Sequence, residues 1–293
     1  MSCIIFNGKA YAENKEHVLA QKVQELKRLG VNLHVKTFTF HEDEGSRLYT
    51  KLKMAAANRV GISYEPEEFS LTEDLGLIVQ TIREASVDAD LSGIMIQKPS
   101  KLVWEQEISS RRRQVNEFST WWEQLTNAID PTKDVDCLTQ ANLNKISPTN
   151  VLPATAKACL SILEEARMQM EVSSEEWKQK NVVVVGRSDI VGKPLTQLLR
   201  RLGHNVNNIG RQEFGKNILN TSDILISAVG VKDLITGSMV KEGAIVIDVG
   251  SPAGDIERTS VEPKAVFLTP VPGGVGPVTV ISLMENIVLL AQK

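Results

Sequence analysis

Short apolar runs rich in valine and isoleucine alternate with segments of helical periodicity along most of this chain. Such β-branched runs are typical of strands that are buried on both faces of a parallel sheet. We predict strands at 31–35, 93–97, 181–185, 204–209, 223–230 and 244–250. Apolar positions three and four residues apart predict helices at 12–29, 47–60, 154–168 and 194–202, and a last helix after the loop that ends at Thr279. The alternation predicts an α/β fold with a doubly wound parallel sheet.

Two further helices are indicated by local signals. Ser70-Leu-Thr-Glu73 has the capping-box pattern and predicts a helix with Leu75 and Ile78 facing inward. Phe118, Trp121, Trp122 and Leu125 have helical spacing, which favours packing over ligand binding.

Length and composition indicate a globular protein of two domains. The chain has 293 residues, 42% of them hydrophobic and 24% charged, and a dinucleotide-binding unit rarely exceeds about 150 residues. The polar segment 138–152 is interpreted as the linker. We therefore expect one domain before this linker and one after it.

Charge and spacing argue against several classes of function. The net charge of −3 is not that of a nucleic-acid-binding protein. The four histidines lack the spacing of a metal site, so no metal is expected. The three cysteines are far apart, which fits reduced thiols in the cytoplasm. No leader and no membrane span are expected, because no apolar run reaches about 20 residues.

The run from Asn181 to Pro194 combines a strand, a glycine turn and a helix start. Gly186 ends the strand, and Pro194 suits the first helical turn. Backbone N–H groups and the helix dipole then converge on a site for phosphate. Ser188 and Val191 occupy two of the glycine positions of the dinucleotide fingerprint, whereas Gly192 follows. The segment is equally compatible with an ordinary turn between a strand and a helix.

The end of the second strand of this unit bears on the choice of cofactor. NAD-binding folds usually place an acid there to hold the ribose hydroxyls. Here Gly210 and Arg211 follow the strand, and Arg211 together with Arg187 could pair with a 2′-phosphate. Both could instead be plain surface arginines, but the missing acid favours NADP. Gly230 ends a further strand and allows close approach of the backbone to a ligand.

Candidate catalytic residues lie in the first half of the chain. Tyr49 and Lys53 are neighbours on one helix face, where Lys53 either extends its amine to solvent or performs chemistry. Gln97 follows a buried strand, either as part of a site or as a residue turning to solvent. Asp134 and Asp136 could bind a cation, but two ligands alone do not define a site.

The loop Thr269-Pro-Val-Pro-Gly-Gly-Val-Gly-Pro277 resembles the C-terminal signature of the bifunctional methylenetetrahydrofolate dehydrogenase/cyclohydrolase family. Val185-Gly-Arg-Ser-Asp-Ile-Val-Gly-Lys-Pro194 resembles that family's cofactor loop, and Ser46-x-x-Tyr49-x-x-x-Lys53 its catalytic helix. The segments 93–97 and 134–136 follow the expected order, and the likeness extends from Asn7 to the end of the chain.

The resemblance implies a cleft between two domains. It implies a folate-binding catalytic domain at 1–150, completed by a C-terminal helix at 276–293, and an NADP-binding Rossmann-type domain at 151–275. It implies oxidation of 5,10-methylenetetrahydrofolate with NADP and hydrolysis of the methenyl product to 10-formyltetrahydrofolate. These are steps of one-carbon metabolism connected with purine biosynthesis. A cytoplasmic homodimer is implied, with tetrahydrofolate derivatives as ligands.

The resemblance also assigns roles to individual residues. Lys53 handles protons and is oriented by Gln97, Tyr49 stacks on the folate, and Asp136 binds the pterin. The remaining residues that it implies are cofactor ligands at Gly186, Arg187, Ser188, Val191, Gly192, Arg211 and Gly230, and substrate ligands at Pro272, Gly273 and Gly274.

The chain departs from the family pattern at the rim of the substrate pocket. Lys98 and Ser100 replace leucines, Cys137 replaces a glycine, and Ala154–Ala158 replaces the segment Cys-Thr-Pro-x-Gly. Two alternatives therefore stay open. One is a shikimate-type NADP dehydrogenase, and the other is a degenerate member of the family that binds folate or dinucleotide without turnover.

Overall fold

The computed structural model describes residues 2–110, 117–210, 213 and 216–292. The chain forms two compact units, which we call the large-sheet unit and the small-sheet unit. The large-sheet unit consists of Met1–Asn14 and Ile146–Ser282, and the small-sheet unit of Lys15–Lys145 and Leu283–Lys293. The domain boundaries expected from the sequence stay a prediction.

The described residues contain nine strands and twelve α-helices. The strands are β1 (Ile4–Ile5), β2 (His34–Phe40), β3 (Ser63–Phe69), β4 (Gly93–Ile96), β5 (Asn181–Val185), β6 (Asn205–Ile209), β7 (Ile224–Ser227), β8 (Ala244–Asp248) and β9 (Ala265–Leu268). The helices are α1 (Gly8–Arg28), α2 (Glu44–Val60), α3 (Leu75–Val87), α4 (Lys101–Ser110), α5 (Phe118–Thr126), α6 (Gln140–Leu143), α7 (Ala154–Gln169), α8 (Ser174–Lys178), α9 (Gly192–Arg201), α10 (Lys216–Leu219), α11 (Arg258–Val261) and α12 (Val275–Ala291). None of these helices is long and apolar enough to cross a membrane.

The large-sheet unit contains a six-stranded sheet in the order β1-β9-β8-β7-β5-β6, and all its pairs are parallel. The valines of β5 show why the strand is central. Val182 and Val184 belong to one apolar cluster, and Val183 and Val185 belong to another. Because successive side chains of a strand point to opposite faces, both faces of the sheet are covered. This confirms the predicted doubly wound parallel sheet.

The small-sheet unit contains a three-stranded parallel sheet in the order β3-β2-β4. The predicted strand at 31–35 was misplaced, because the strand begins at His34 and continues to Phe40. Thr37, Phe38 and Thr39 are all fully buried, so burial does not alternate along this part of the strand. The acidic edge strand β3 was not predicted, and neither was β1, which pairs with β9.

Two helix starts differ from the sequence prediction. Helix α3 is capped by Asp74, which accepts a hydrogen bond from the Leu77 N–H at 3.1 Å, and not by Ser70. Glu73 forms only its half of the predicted capping box, by accepting from the Ser70 N–H at 3.2 Å. At the C-terminal end, α12 already begins at Val275, so the helix includes the last part of the proline–glycine segment.

Candidate active site

The N-terminal turn of α2 is clamped to the segment that follows β4. Asp43 caps the helix by accepting hydrogen bonds from the Ser46 N–H at 3.1 Å and the Ser46 hydroxyl at 2.9 Å. The same carboxylate accepts from the Ser100 N–H at 2.6 Å, and the Ser46 hydroxyl also contacts the Lys98 carbonyl at 3.3 Å. This clamp fixes α2 beside Gln97. Sequence reasoning missed Asp43, although its place three residues before Ser46 is that of an N-cap.

The clamp brings Lys53 and Gln97 into direct contact. The Lys53 amine donates a hydrogen bond to Gln97 Oε1 at 2.7 Å and contacts Met95 Sδ at 3.4 Å. Met95 was not predicted as part of the site, although it shares a strand face with Gln97 through its i, i+2 spacing. Lys53 is only 6% exposed, so its amine does not extend to solvent.

Burial lowers the pKa of the Lys53 amine, and the Asp136 carboxylate opposes this by raising it. Among the described residues, the hydrogen-bond partners of this buried amine are an amide oxygen and a thioether, and neither carries a charge. The neutral amine, which can accept a proton, is therefore populated at a lower pH than in a free lysine. Burial also raises the pKa of Tyr64, whose hydroxyl reaches Met95 Sδ at 4.0 Å, so this phenol stays neutral.

Tyr49 lies one turn before Lys53 on α2 and is half-buried. Leu52, directly before Lys53, is 48% exposed and is not part of the buried side of the helix. The buried side of the helix consists instead of Ser46, Thr50, Lys53, Ala56, Ala57 and Val60.

The two aspartates of the Asp134-Val-Asp136 segment have different environments. Asp134 is fully buried, and its carboxylate accepts from the N–H groups of Leu138 and Thr139 at 2.9 Å, the Thr139 hydroxyl at 2.8 Å and Asn142 Nδ2 at 3.0 Å. Asp134 therefore holds the turn together. Asp136 is half-buried and acts electrostatically on Lys53.

Cys137 stands at the position where the family pattern has glycine. Its φ of 53° is in the left-handed region, which explains the usual preference for glycine there. A side chain in this conformation costs about 1 kcal/mol. The chain retains the turn in spite of that cost.

Lys98 lies over two aromatic rings of α5. Its amine is 5.0 Å from the centroid of the Trp122 ring and 5.6 Å from that of Phe118. Trp121 is buried and its ring centroid lies 5.8 Å from that of Trp104. These aromatic residues pack against one another, as their helical spacing predicts.

The turn between β5 and α9 depends on two glycines. Gly186 has a φ of 116°, and a Cβ there would lie 2.4 Å from the Ala228 carbonyl oxygen. A Cβ on Gly192 would lie 2.1 Å from the Gly186 carbonyl oxygen. Ser188 closes the turn, because its hydroxyl accepts from the N–H groups of Val191 at 3.2 Å and Gly192 at 3.3 Å.

Two further loops follow the carboxyl ends of strands in the large-sheet unit. Gly230, with a φ of 72°, has open space where a Cβ would stand. Asp255 supports this loop by accepting from the N–H groups of Val229 and Val231, both at 2.8 Å.

The second of these loops contains the predicted substrate residues. It has a cis peptide bond before Pro272 and a φ of 101° at Gly273. A Cβ on Gly274 would lie 2.5 Å from the Pro270 carbonyl oxygen. The tight loop predicted from its prolines and glycines is therefore present.

Arg187 has an acidic partner that the sequence analysis missed. Its Nη2 donates to the Asn208 carbonyl at 3.0 Å and to the Glu213 carboxylate. Glu213 also accepts from the Gly210 N–H at 3.3 Å. The residues directly after β6 include no acid, as the sequence indicates, but Glu213 reaches back to this strand end from four positions beyond it. Arg211 lies outside the described residues.

Arg187 belongs to a basic cavity beside α9. The cavity has a volume of about 610 Å³, and its cationic lining consists of Arg187, Lys193, Arg200 and Arg201. Thr196, Gln197 and Asn208 complete it. Its charge suits an anionic ligand such as a phosphate.

Both halves of the chain are similar to known proteins. Residues 6–136 match the family described as tetrahydrofolate dehydrogenase/cyclohydrolase, catalytic domain, and residues 153–293 match its NAD(P)-binding domain. The bifunctional protein FolD of Lactobacillus acidophilus is 33% identical over 99% of this chain and 97% of its own length. That of Bacillus subtilis is 33% identical over 100% of this chain and 99% of its own.

Solved structures show the same likeness. The bifunctional enzyme FolD from Campylobacter jejuni has a TM-score of 0.85 and 26% identity, covering 99% of both chains. The Trypanosoma brucei dehydrogenase-cyclohydrolase, solved with NADP and an inhibitor, has a TM-score of 0.85 and 26% identity, covering 100% of this chain and 98% of its own. The chain thus belongs to the tetrahydrofolate dehydrogenase/cyclohydrolase family.

Proposed function

We propose that this protein oxidises 5,10-methylenetetrahydrofolate with NADP to 5,10-methenyltetrahydrofolate and hydrolyses that product to 10-formyltetrahydrofolate. The observation that carries the proposal is the buried Lys53 amine, which is hydrogen-bonded to Gln97 and acted on by Asp136, in a chain of this family. A buried lysine that is held by a glutamine is suited to accepting and returning a proton. The hydrolytic step requires such proton transfer.

Lys53 is proposed as the base of that step. Water adds to the methenyl carbon, and the neutral amine accepts the proton that the water loses. The carbon–nitrogen bond of the five-membered ring then breaks as the new hydroxyl becomes the formyl carbonyl. Lys53 returns its proton to the departing nitrogen, and the proton of the hydroxyl passes to solvent. Gln97 Oε1 accepts one N–H of the amine, so that it orients the lone pair. The lowered pKa of Lys53 supports this role.

Folate binding is proposed for Tyr49, Asp136 and the loop residues Pro272, Gly273 and Gly274. The half-buried ring of Tyr49 offers a stacking surface. The Asp136 carboxylate can accept hydrogen bonds from adjacent N–H donors, which the edge of a pterin presents.

NADP, when bound, supplies the acceptor for the hydride. The tight turn around Gly186 and the basic cavity beside it suit the phosphates of such a ligand. We propose the following residues as its ligands: Gly186, Arg187, Ser188, Val191, Gly192, Arg211 and Gly230. The Trypanosoma brucei relative was solved with NADP, which supports this choice.

The test is direct. Purified protein is supplied with 5,10-methylenetetrahydrofolate and NADP, and NADPH formation is followed by absorbance. Decay of 5,10-methenyltetrahydrofolate is followed separately and corrected for the spontaneous rate. We expect both activities, and absence of both would refute the proposal in favour of a member that binds without turnover. A shikimate-type dehydrogenase is not favoured, because both family domains match.

We further propose a cytoplasmic homodimer whose product supplies formyl groups to purine biosynthesis. The widely spaced cysteines support a reducing compartment. We also propose domain boundaries at about residues 150 and 275. Sedimentation equilibrium at micromolar concentration tests the dimer, which a monomer mass would contradict.

A further inference from the structure

Glu213 lies at the carboxyl end of β6, the place where dinucleotide-binding folds hold the cofactor ribose. Its carboxylate accepts from the Gly210 N–H, directly after β6, and forms an ion pair with Arg187. Hydrogen bonding to Arg187 holds the pKa of Glu213 below its usual range, so the carboxylate is charged at neutral pH. Both groups are about half exposed and open to a ligand.

The two members of this pair favour different cofactors. In dinucleotide-binding folds, an acid at the end of the second strand accepts hydrogen bonds from the ribose hydroxyls of NAD, whereas an arginine pairs with the 2′-phosphate of NADP. A carboxylate beside a 2′-phosphate is repulsive, and NADP must also displace it from Arg187. NAD has no 2′-phosphate and leaves the pair intact.

We propose that Glu213 is a specificity-determining residue that reduces the preference for NADP and allows this protein to bind NAD as well. The inference rests on the proposed use of a dinucleotide. In the presence of NAD, Glu213 accepts from the ribose while it retains Arg187. In the presence of NADP, Arg187 turns to the phosphate and Glu213 withdraws into solvent.

The experiment is isothermal titration calorimetry with NADP and with NAD, on the full chain and on Glu213→Gln and Glu213→Ala variants. The matched control is Glu164→Gln, which removes the carboxylate of an exposed ion pair with Arg167 on α7. We expect Glu213→Gln to tighten NADP binding by about fivefold, since repulsion and a surface ion pair are removed together. Glu213→Ala should weaken NAD binding about threefold, because the acceptor is lost. The control should change neither.

Two results would overturn the inference. An unchanged ratio of the two dissociation constants in both Glu213 variants would show that Glu213 has no part in recognition. Weaker NADP binding in Glu213→Gln would show that Glu213 instead orients Arg187 for the phosphate. Binding is measured without folate, so that a failure of the proposed enzymatic activity leaves this test intact.

Discussion

Replacement of Lys53 by methionine should separate the two proposed activities. Methionine keeps much of the length and apolar bulk of the side chain but removes the amine. The site of the change is 6% exposed, so solvent cannot easily supply a substitute base in the same place. A positioned general base contributes about 10²–10⁴ in rate, which corresponds to roughly 3–5 kcal/mol of barrier. We therefore expect cyclohydrolase activity to fall at least about a hundredfold.

The dehydrogenase should respond less, because hydride transfer depends chiefly on holding the two ligands in position. We expect it to retain at least about a tenth of its rate. The fold should survive, since the unpaired Gln97 Oε1 costs about 1–3 kcal/mol and the loss of a buried amine offsets part of that.

The assay is the decay of 5,10-methenyltetrahydrofolate, corrected for the spontaneous rate, beside NADPH formation and a thermal melt. Lys51→Met is the matched control, because Lys51 is an exposed lysine on the same helix. Enzymatic decay at the wild-type rate in a folded Lys53→Met protein would show that Lys53 is not the base.

Four more predictions, from three variants, concern the carboxylates and the glycine turn. Asp136 raises the pKa of Lys53, so Asp136→Asn should move the acid limb of the cyclohydrolase kcat profile to lower pH, and a limb that stays in place would contradict the coupling. Calorimetry should show that the same variant binds folate more weakly and binds NADP as the wild type does. Equal weakening of both would show that Asp136 has a structural role instead. Asp134→Asn should lower the free energy of unfolding in urea by about 2–4 kcal/mol, because an amide cannot accept all of the hydrogen bonds that this buried carboxylate accepts. Wild-type stability would show that Asp134 does not hold the turn together. Gly186→Ala should lower stability by about 1–3 kcal/mol and abolish NADP binding, since its Cβ would lie 2.4 Å from the Ala228 oxygen; retention of normal affinity would show that the turn is not the phosphate site.

The sequence alone was sufficient where local periodicity decides the structure. The four valines of β5, the turn at Gly186 and the helix after it were predicted because neighbouring residues set them. The i, i+4 relation of Tyr49 and Lys53 is likewise a local property of α2. The resemblance of several short motifs in the right order then indicated the family.

Tertiary structure decided the features that join distant parts of the chain. Lys53 and Gln97 are 44 positions apart, and their contact requires β2 to pair with β4 and Asp43 to clamp α2 to Ser100. β3 was not predicted, because its sequence is polar and acidic and forms a strand only through pairing with β2. The role of Glu213 is not evident from the sequence, because the residue lies beyond the end of β6 and only the fold brings its side chain back to Gly210 and Arg187. Local spacing specifies which residues share a face, but only long-range pairing specifies which faces meet.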